Sequence, residues 1–159
     1  MCTTERGFFM ENQTQKLLQS IVENARTGLD ACEQMMDKTK DAALRDELMT
    51  QRTEYQKFAQ DAERALTAEG AQPHAKSMMS RAGMWMGIQM NTMMDTTTPH
   101  LAELLIQGST MGIVGMTRDQ GNLPQASAEA QGIATAFIQS QQTAVDRLKK
   151  LLTTEKSRV

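Results

Sequence analysis

The chain has 159 residues, with 17 basic and 19 acidic side chains and a net charge of −2. This length fits one domain with a sizeable core. The charge balance excludes the basic face that nucleic-acid phosphates require, and one Trp, one Tyr and four Phe are too few for base stacking. Ala, Leu, Met, Gln, Glu and Lys dominate, and these good helix formers predict an all-α protein.

The sequence shows neither a secretory signal nor a membrane span. Residues 1–9 lack the apolar run of a signal peptide, and no stretch of about 18 apolar residues occurs anywhere. We therefore expect a soluble, cytoplasmic protein. Residues 1–10 are predicted to be a disordered leader, with Met10 as an alternative start, and residues 11–155 to form a single domain.

The two cysteines do not form a disulfide framework. Cys2 lies in the predicted leader and Cys32 falls on the apolar face of a predicted helix. Two reduced thiols suit a reducing compartment.

The first half of the chain predicts two long helices. Helix A, at about 12–38, and helix B, at about 41–69, have apolar residues at steps of three and four. Thr39 or Asp41 can cap helix B, and Gly70 suits the position that follows it.

The middle of the chain, residues 74–117, is rich in methionine. It holds nine of the fourteen methionines and only four charged side chains. The spacing predicts a helix over 78–94. The methionines recur at core spacing, which favours core or interface packing over a copper or haem site.

Two further helices follow. Thr98 as N-cap and Pro99 in the first turn predict helix C at about 99–118. Helix D is predicted at about 124–154. No window alternates with a period of two, so we predict no sheet. The pattern indicates a four-helix bundle with an extra helix between B and C.

One block of sequence resembles a known group. The segments 90–95, 99–103 and 106–113 resemble a family of bacterial ferritin-like four-helix-bundle proteins of unknown function, and the resemblance extends over roughly 14–152. It implies a ferritin-like bundle and no particular reaction.

The usual ligands of a ferritin-like di-iron site are absent from the sequence. Such sites use inward Glu residues and Glu-x-x-His pairs, and no Glu-x-x-His occurs here. Gln51 and Gln141 fall on buried faces and Lys57 points away. We expect both glutamines to be structural residues, with a hydrogen bond between them as one option, and the absent ligands favour a non-catalytic protein.

A non-standard metal site remains as an alternative. His100, Glu103 and Gln107 form a stripe on helix C, with Met111 beyond, and His100 and Glu103 have the spacing of two ligands to one ion. Glu33 of helix A or Glu54 of helix B, each at the edge of its apolar face, would complete the site for iron or another transition metal. Glu23 and Asp30 are predicted to face outward. The competing interpretation is that the helix dipole favours Glu103 near the start of the helix and that His100 is solvated.

Three functions follow from these features. The first is self-association or binding of a protein partner through the Met-rich segment 77–117, without a cofactor. The second is the metal site. The third is a small apolar ligand bound between helices, for which Gly108, Gly112 and Gly115 would form a channel. Close helix packing is the interpretation we favour for these three glycines.

Overall fold

The computed structural model describes residues 2–73 and 95–154, and within these ranges the protein is all-α, with no strand. The predicted fold class is confirmed at that level. The predicted Met-rich helix at 78–94 lies outside the described residues. The helices are α1 at Cys2–Met36, α2 at Ala42–Ala68, α3 at Thr98–Asn122 and α4 at Ala128–Thr154.

The first helix begins earlier than the sequence pattern predicts. α1 starts at Cys2, so the residues predicted as a leader belong to the helix. The prediction relied on apolar periodicity, which begins after residue 12. Residues 2–12 contain no proline and one glycine, Gly7, so no strong helix breaker separates them from the apolar part of α1.

The ends of α2 follow the predicted local chemistry. Asp41 is the N-cap, and its Oδ1 accepts a hydrogen bond from the backbone N–H of Leu44 at 2.9 Å. Gly70 has φ of +74°, the left-handed conformation that favours glycine after a helix. Both predictions are confirmed.

The start of α3 is displaced by one residue from its predicted position. The N-cap is Thr97, not Thr98, and the Thr97 side chain makes no capping bond. The carboxylate of Asp95 instead accepts the backbone N–H of Thr97 at 3.0 Å. This Asx-type turn sets the entry into the helix.

The fourth helix begins later than the sequence pattern predicts. α4 starts at Ala128 because residues 123–126 form a turn, in which the Ala126 N–H donates to the Leu123 carbonyl at 3.1 Å. Ser127 Oγ accepts the N–H of Ala130 at 3.1 Å and satisfies one of the free donors of the first turn.

The four helices run in two antiparallel pairs, α1 with α2 and α3 with α4. At the start of α4, the backbone N–H of Ser127 donates to Thr14 Oγ1 of α1 at 2.8 Å. Near its end, Arg147 binds Glu47 at the start of α2. Therefore α4 is parallel to α1 and antiparallel to α2. Because α2 and α3 then run in the same direction, residues 69–97 connect opposite ends of the bundle.

The core is aliphatic at the ends and aromatic in the middle. The Phe137 ring of α4 lies edge-on to Phe58 of α2, with centroids 5.4 Å apart, and 6.3 Å from the Tyr55 ring. In the described ranges, no helix combines the length and hydropathy needed to cross a bilayer. The largest fully buried aliphatic side chains are Leu17, Leu18, Ile21, Met35, Leu44, Leu48, Leu66, Met116 and Leu148.

Candidate ligand-binding cleft

A cleft of about 340 Å³ separates α1 from α3. Its floor is made by Gln51 and Tyr55 of α2 and by Phe137 and Gln141 of α4. The volume lies in the range of roughly 300–1,000 Å³ that small-molecule sites occupy. The walls are Asn24, Thr27, Gly28, Ala31 and Cys32 on α1 and Leu105, Gly108, Ser109, Met111, Gly112, Gly115 and Arg118 on α3.

Missing side chains on α3 create much of this space. A Cβ built on Gly112 would meet only Phe137 Cε1, at 4.0 Å, and one on Gly115 would meet no described atom within 4 Å. Close helix packing, the interpretation that the sequence favoured, is therefore wrong for these two glycines. They line an open cleft, and a side chain at either position would project into it.

Close packing does explain a different glycine. A Cβ on Gly28 would overlap the ring of Tyr55, because the ring lies against the backbone of α1. Gly28 lies on the buried face of α1, and a glycine among the apolar residues of a helix is the signal that the sequence carries for such a contact.

Two buried glutamines form the polar part of the floor. Gln51 and Gln141 are each 1% exposed, which confirms their predicted burial. The suggested pairing between them is wrong. Gln51 Nε2 donates to Glu47 Oε1 at 2.8 Å, and the Tyr55 hydroxyl donates to Gln141 Oε1 at 2.6 Å. A carboxylate one turn away and a phenol on the facing helix are the partners instead.

The carboxylates beside this floor are held by an arginine. Arg147 Nε donates to both carboxylate oxygens of Glu47, at 3.0 and 2.9 Å, and Arg147 Nη2 donates to Glu54 at 3.2 Å. Such charge-assisted bonds are stronger than neutral ones. The two acidic groups are therefore oriented toward α4 by a cation.

Two titratable groups of the cleft, Cys32 in the wall and Tyr55 in the floor, keep their protons at neutral pH. Burial raises the pKa of the Cys32 thiol to about 12, and the nearby carboxylates of Glu47 and Glu33 add to the effect. Burial, followed by the proximity of Cys32, raises the pKa of the Tyr55 hydroxyl, against which hydrogen bonds with Ser109 and Gln141 act. With the amides of Gln51 and Gln141, the floor is polar but uncharged, and Ser109 adds a neutral hydroxyl from the wall.

The predicted metal ligands on α1 and α2 face other partners. Glu33 is exposed and binds Arg52 Nε at 3.3 Å. Glu54 is half-buried and is one of the two carboxylates bound by Arg147. Lys57 is exposed, as predicted, at 3.5 Å from Asp61.

The predicted ligands on α3 are spread along its outer side. Glu103 and Gln107 are exposed. His100 is half-buried, with Nδ1 4.0 Å from Asp95 Oδ2, while its Nε2 is buried and makes no hydrogen bond with the described residues. The hydrogen bonds from Thr97, followed by the proximity of His100, lower the pKa of Asp95.

The predicted ligands are not brought together. In residues 2–73 and 95–154, no three His, Cys, Asp or Glu side chains form a group that could hold a metal ion. The donors at the bundle centre are neutral amides and hydroxyls, so they do not fit a di-metal site, which needs inward carboxylates. A metal site that uses His100 stays a prediction.

One further carboxylate is placed differently from its prediction. Glu23, expected to face outward, is 8% exposed and accepts a hydrogen bond from Gln19 Nε2 at 3.0 Å. It lines a second cavity of about 520 Å³, between α1 and the ends of α2 and α3. The nearby bond between Ser20 and Asp119 shows that α3 covers this side of α1. Asp30 is exposed, as predicted.

Comparisons with protein-family models, with curated proteins and with solved structures gave no match. The interpretation of the cleft therefore depends on its geometry and chemistry.

Proposed function

We propose that this chain is a ferritin-like four-helix bundle that binds a small molecule in the cleft between α1 and α3, without catalysing a reaction on it. The observation that carries the proposal is convergence: α2, α3 and α4 each contribute a buried, uncharged polar side chain to one cavity, and α1 contributes the buried Cys32 thiol, a weak donor. A concave site with a few convergent polar groups is the usual form of a ligand pocket. These groups are Cys32, Gln51, Tyr55, Ser109 and Gln141.

The order of the helices supports the ferritin-like part of the proposal. Ferritin-like bundles have two antiparallel pairs joined by one long crossover connection, and here residues 69–97 connect opposite ends of the bundle. The central positions differ from those of a di-iron protein in their chemistry, since Gln51 and Gln141 cannot offset the charge of metal ions.

The protonated state of the Cys32 thiol and the Tyr55 hydroxyl supports a binding role over a catalytic one. General acid–base catalysis works best with a pKa near the operating pH, and nucleophilic cysteines react as thiolates. The pKa of Cys32 is raised to about 12 and that of Tyr55 is raised as well. Both groups are therefore suited to neutral hydrogen bonding at pH 7.

A fluorescent-probe titration with one cleft variant tests the proposal. N-phenyl-1-naphthylamine, an uncharged probe, should bind the wild-type protein saturably. Gly112→Leu should weaken that binding at least about tenfold, since a side chain at 112 fills the cleft. Gly132→Leu is the matched control, because Gly132 lies in α4, has open space around it and does not line the cleft.

The result that would contradict the proposal is equally specific. If the probe does not bind the wild type, or binds Gly112→Leu and wild type alike, the cleft is not a ligand site. Thermal unfolding of both variants shows whether each remains folded. Both replace an interior helix glycine, so both are expected to be at least as stable as the wild type.

Self-association through α3 is a second candidate, favoured by one observation. Met111 and Val114 are 54% and 51% exposed and lie three residues apart, so they share one side of the helix. They belong to the weakly charged segment 77–117, of which residues 95–117 are described. Val114→Lys should lower the sedimentation coefficient if a dimer forms through this side. Met49→Lys is the control, because Met49 is equally exposed, at 56%, on α2.

A further inference from the structure

We infer that the ligand of the cleft is a small uncharged molecule with a carboxamide-type head group, one that carries both an N–H donor and a carbonyl acceptor, on a short hydrocarbon body. This inference rests on the proposed function, since it names the chemical class that the cleft binds.

The directions of two hydrogen bonds show which atoms of the two lining amides are left for a ligand. The Glu47 carboxylate only accepts, so the bond from Gln51 Nε2 fixes the orientation of that amide and leaves Gln51 Oε1 as an acceptor. The Tyr55 hydroxyl donates to Gln141 Oε1, which leaves Gln141 Nε2 with its two N–H donors. A carboxamide has the complementary pair, a carbonyl for Gln141 and an N–H for Gln51.

The charges around the floor disfavour an ionic head group. Of the carboxylates near the cleft, Glu47 and Glu54 are bound by Arg147 and the exposed Glu33 pairs with Arg52, and the Cys32 thiol is protonated at neutral pH. A charged head group would lose its hydration there without gaining a free counter-charge, which is costly. Arg118 is the cation on the wall of the cleft, and it is exposed, where water screens it.

The walls suit a hydrocarbon body. Leu105 and Phe137 are buried apolar side chains of the lining, and the backbone of Gly112 leaves a smooth surface between them. A volume of about 340 Å³ is near the lower limit for small-molecule sites, so the ligand must be small.

Competition among three six-carbon probes tests the inference. Hexanamide and hexanoate are isosteres of different charge, hexylamine has the same number of carbons and an ammonium head group, and each is titrated against bound N-phenyl-1-naphthylamine. We expect hexanamide to displace the probe about tenfold more effectively than the two ions, as the gain of one or two buried hydrogen bonds requires.

Two variants then assign the head-group contacts. Gln141→Glu keeps an acceptor for the Tyr55 hydroxyl but loses the N–H donors, and Gln51→Met removes the acceptor with little change in size. Each should abolish most of the preference for hexanamide while the naphthylamine probe still binds. If one variant does not fold, the other still provides the test.

Three outcomes separate the inference from the proposed function. If the wild type does not bind the naphthylamine probe, both the inference and the proposed function are contradicted. If the probe binds and hexanoate or hexylamine displaces it as effectively as hexanamide or more so, the inference alone is overturned. If hexanoate is preferred and Arg118→Gln removes the preference, the ligand is an organic acid bound at the rim, and the carboxamide assignment is wrong.

Discussion

The ring of Tyr55 on α2 lies directly against the backbone of Gly28 on α1, and its hydroxyl donates a hydrogen bond to Gln141 Oε1 of α4. One tyrosine thus joins three helices at the level of the cleft floor. Its ring needs a glycine on one side, and its hydroxyl needs an acceptor at its tip. Gly28→Ala and Tyr55→Phe test these two contacts, and Gly112→Ala tests the glycine on α3 beside which the space is open.

Gly28→Ala should destabilise the protein, although alanine is the better helix former. The added Cβ would overlap the Tyr55 ring, and overpacking of a core typically costs about 1–3 kcal/mol. Urea unfolding measures the free energy of unfolding. The combination with Tyr55→Leu should recover part of the loss, and an unchanged or raised stability of the single variant would contradict the contact.

Gly112→Ala should have the opposite effect. Its Cβ would come no closer than 4.0 Å to Phe137, so the substitution gains the helix propensity of alanine, about 1 kcal/mol, without a clash. Gly132→Ala, in open space on α4, should stabilise by a similar amount. A destabilised Gly112→Ala would show that α3 packs more closely there than the cleft requires.

Tyr55→Phe should cost about 1–2 kcal/mol, because the buried Gln141 Oε1 loses its donor. The cost should depend on residue 141. In a double-mutant cycle with Gln141→Leu, the two losses should be clearly less than additive, as expected for groups in direct contact. Additive losses in urea unfolding would mean that the hydroxyl and the amide do not interact.

Arg147→Met should destabilise far more than Lys149→Met on the same helix. Arg147 is 29% exposed and binds Glu47, whose side chain is 10% exposed, so its loss leaves a largely buried carboxylate without a counter-charge, at about 2 kcal/mol or more. Lys149 pairs with Asp146 in water, at 60% and 74% exposure, where such pairs contribute roughly 0–1 kcal/mol. Comparable losses for both variants in urea unfolding would contradict this.

Stability should fall in alkaline solution because of Cys32. Its pKa is raised from 9.0 to about 12 in the folded protein. Between these values the unfolded chain releases the thiol proton and the folded chain keeps it, so unfolding is favoured as pH rises. In a Cys2→Ser background, the free energy of unfolding should decrease from pH 8.5 to 10.5. Cys32→Ala should make that decrease shallower, and an unchanged slope would contradict a buried, protonated thiol.

Much of the local structure was predictable, since helix periodicity and end chemistry act over a few residues. The apolar spacing of helix B predicted a buried face on α2, and the cap at Asp41 and the glycine at Gly70 were predicted from their residue types. The error at the start of α1 came from using an apolar stripe as the signal for a helix. The first turns of α1 are helical without an apolar stripe.

The cleft was only partly predictable. The sequence identified Gln51 and Gln141 as buried amides, because their positions on the helical wheel fix the face on which they lie. It could not identify their partners. The Glu47–Gln51 bond is local to α2, but the Tyr55–Gln141 bond joins residues 86 positions apart.

By itself the sequence determined the helical class, the ends of α2 and which faces are apolar, since these depend on neighbours along the chain. The tertiary structure alone decided which glycine a neighbour touches. Gly28 and Gly112 are alike in sequence, each an interior helix glycine. The Tyr55 ring contacts Gly28, whereas the space beside Gly112 is left open. The spacing between packed helices makes that difference, because it is set by side chains distant in sequence.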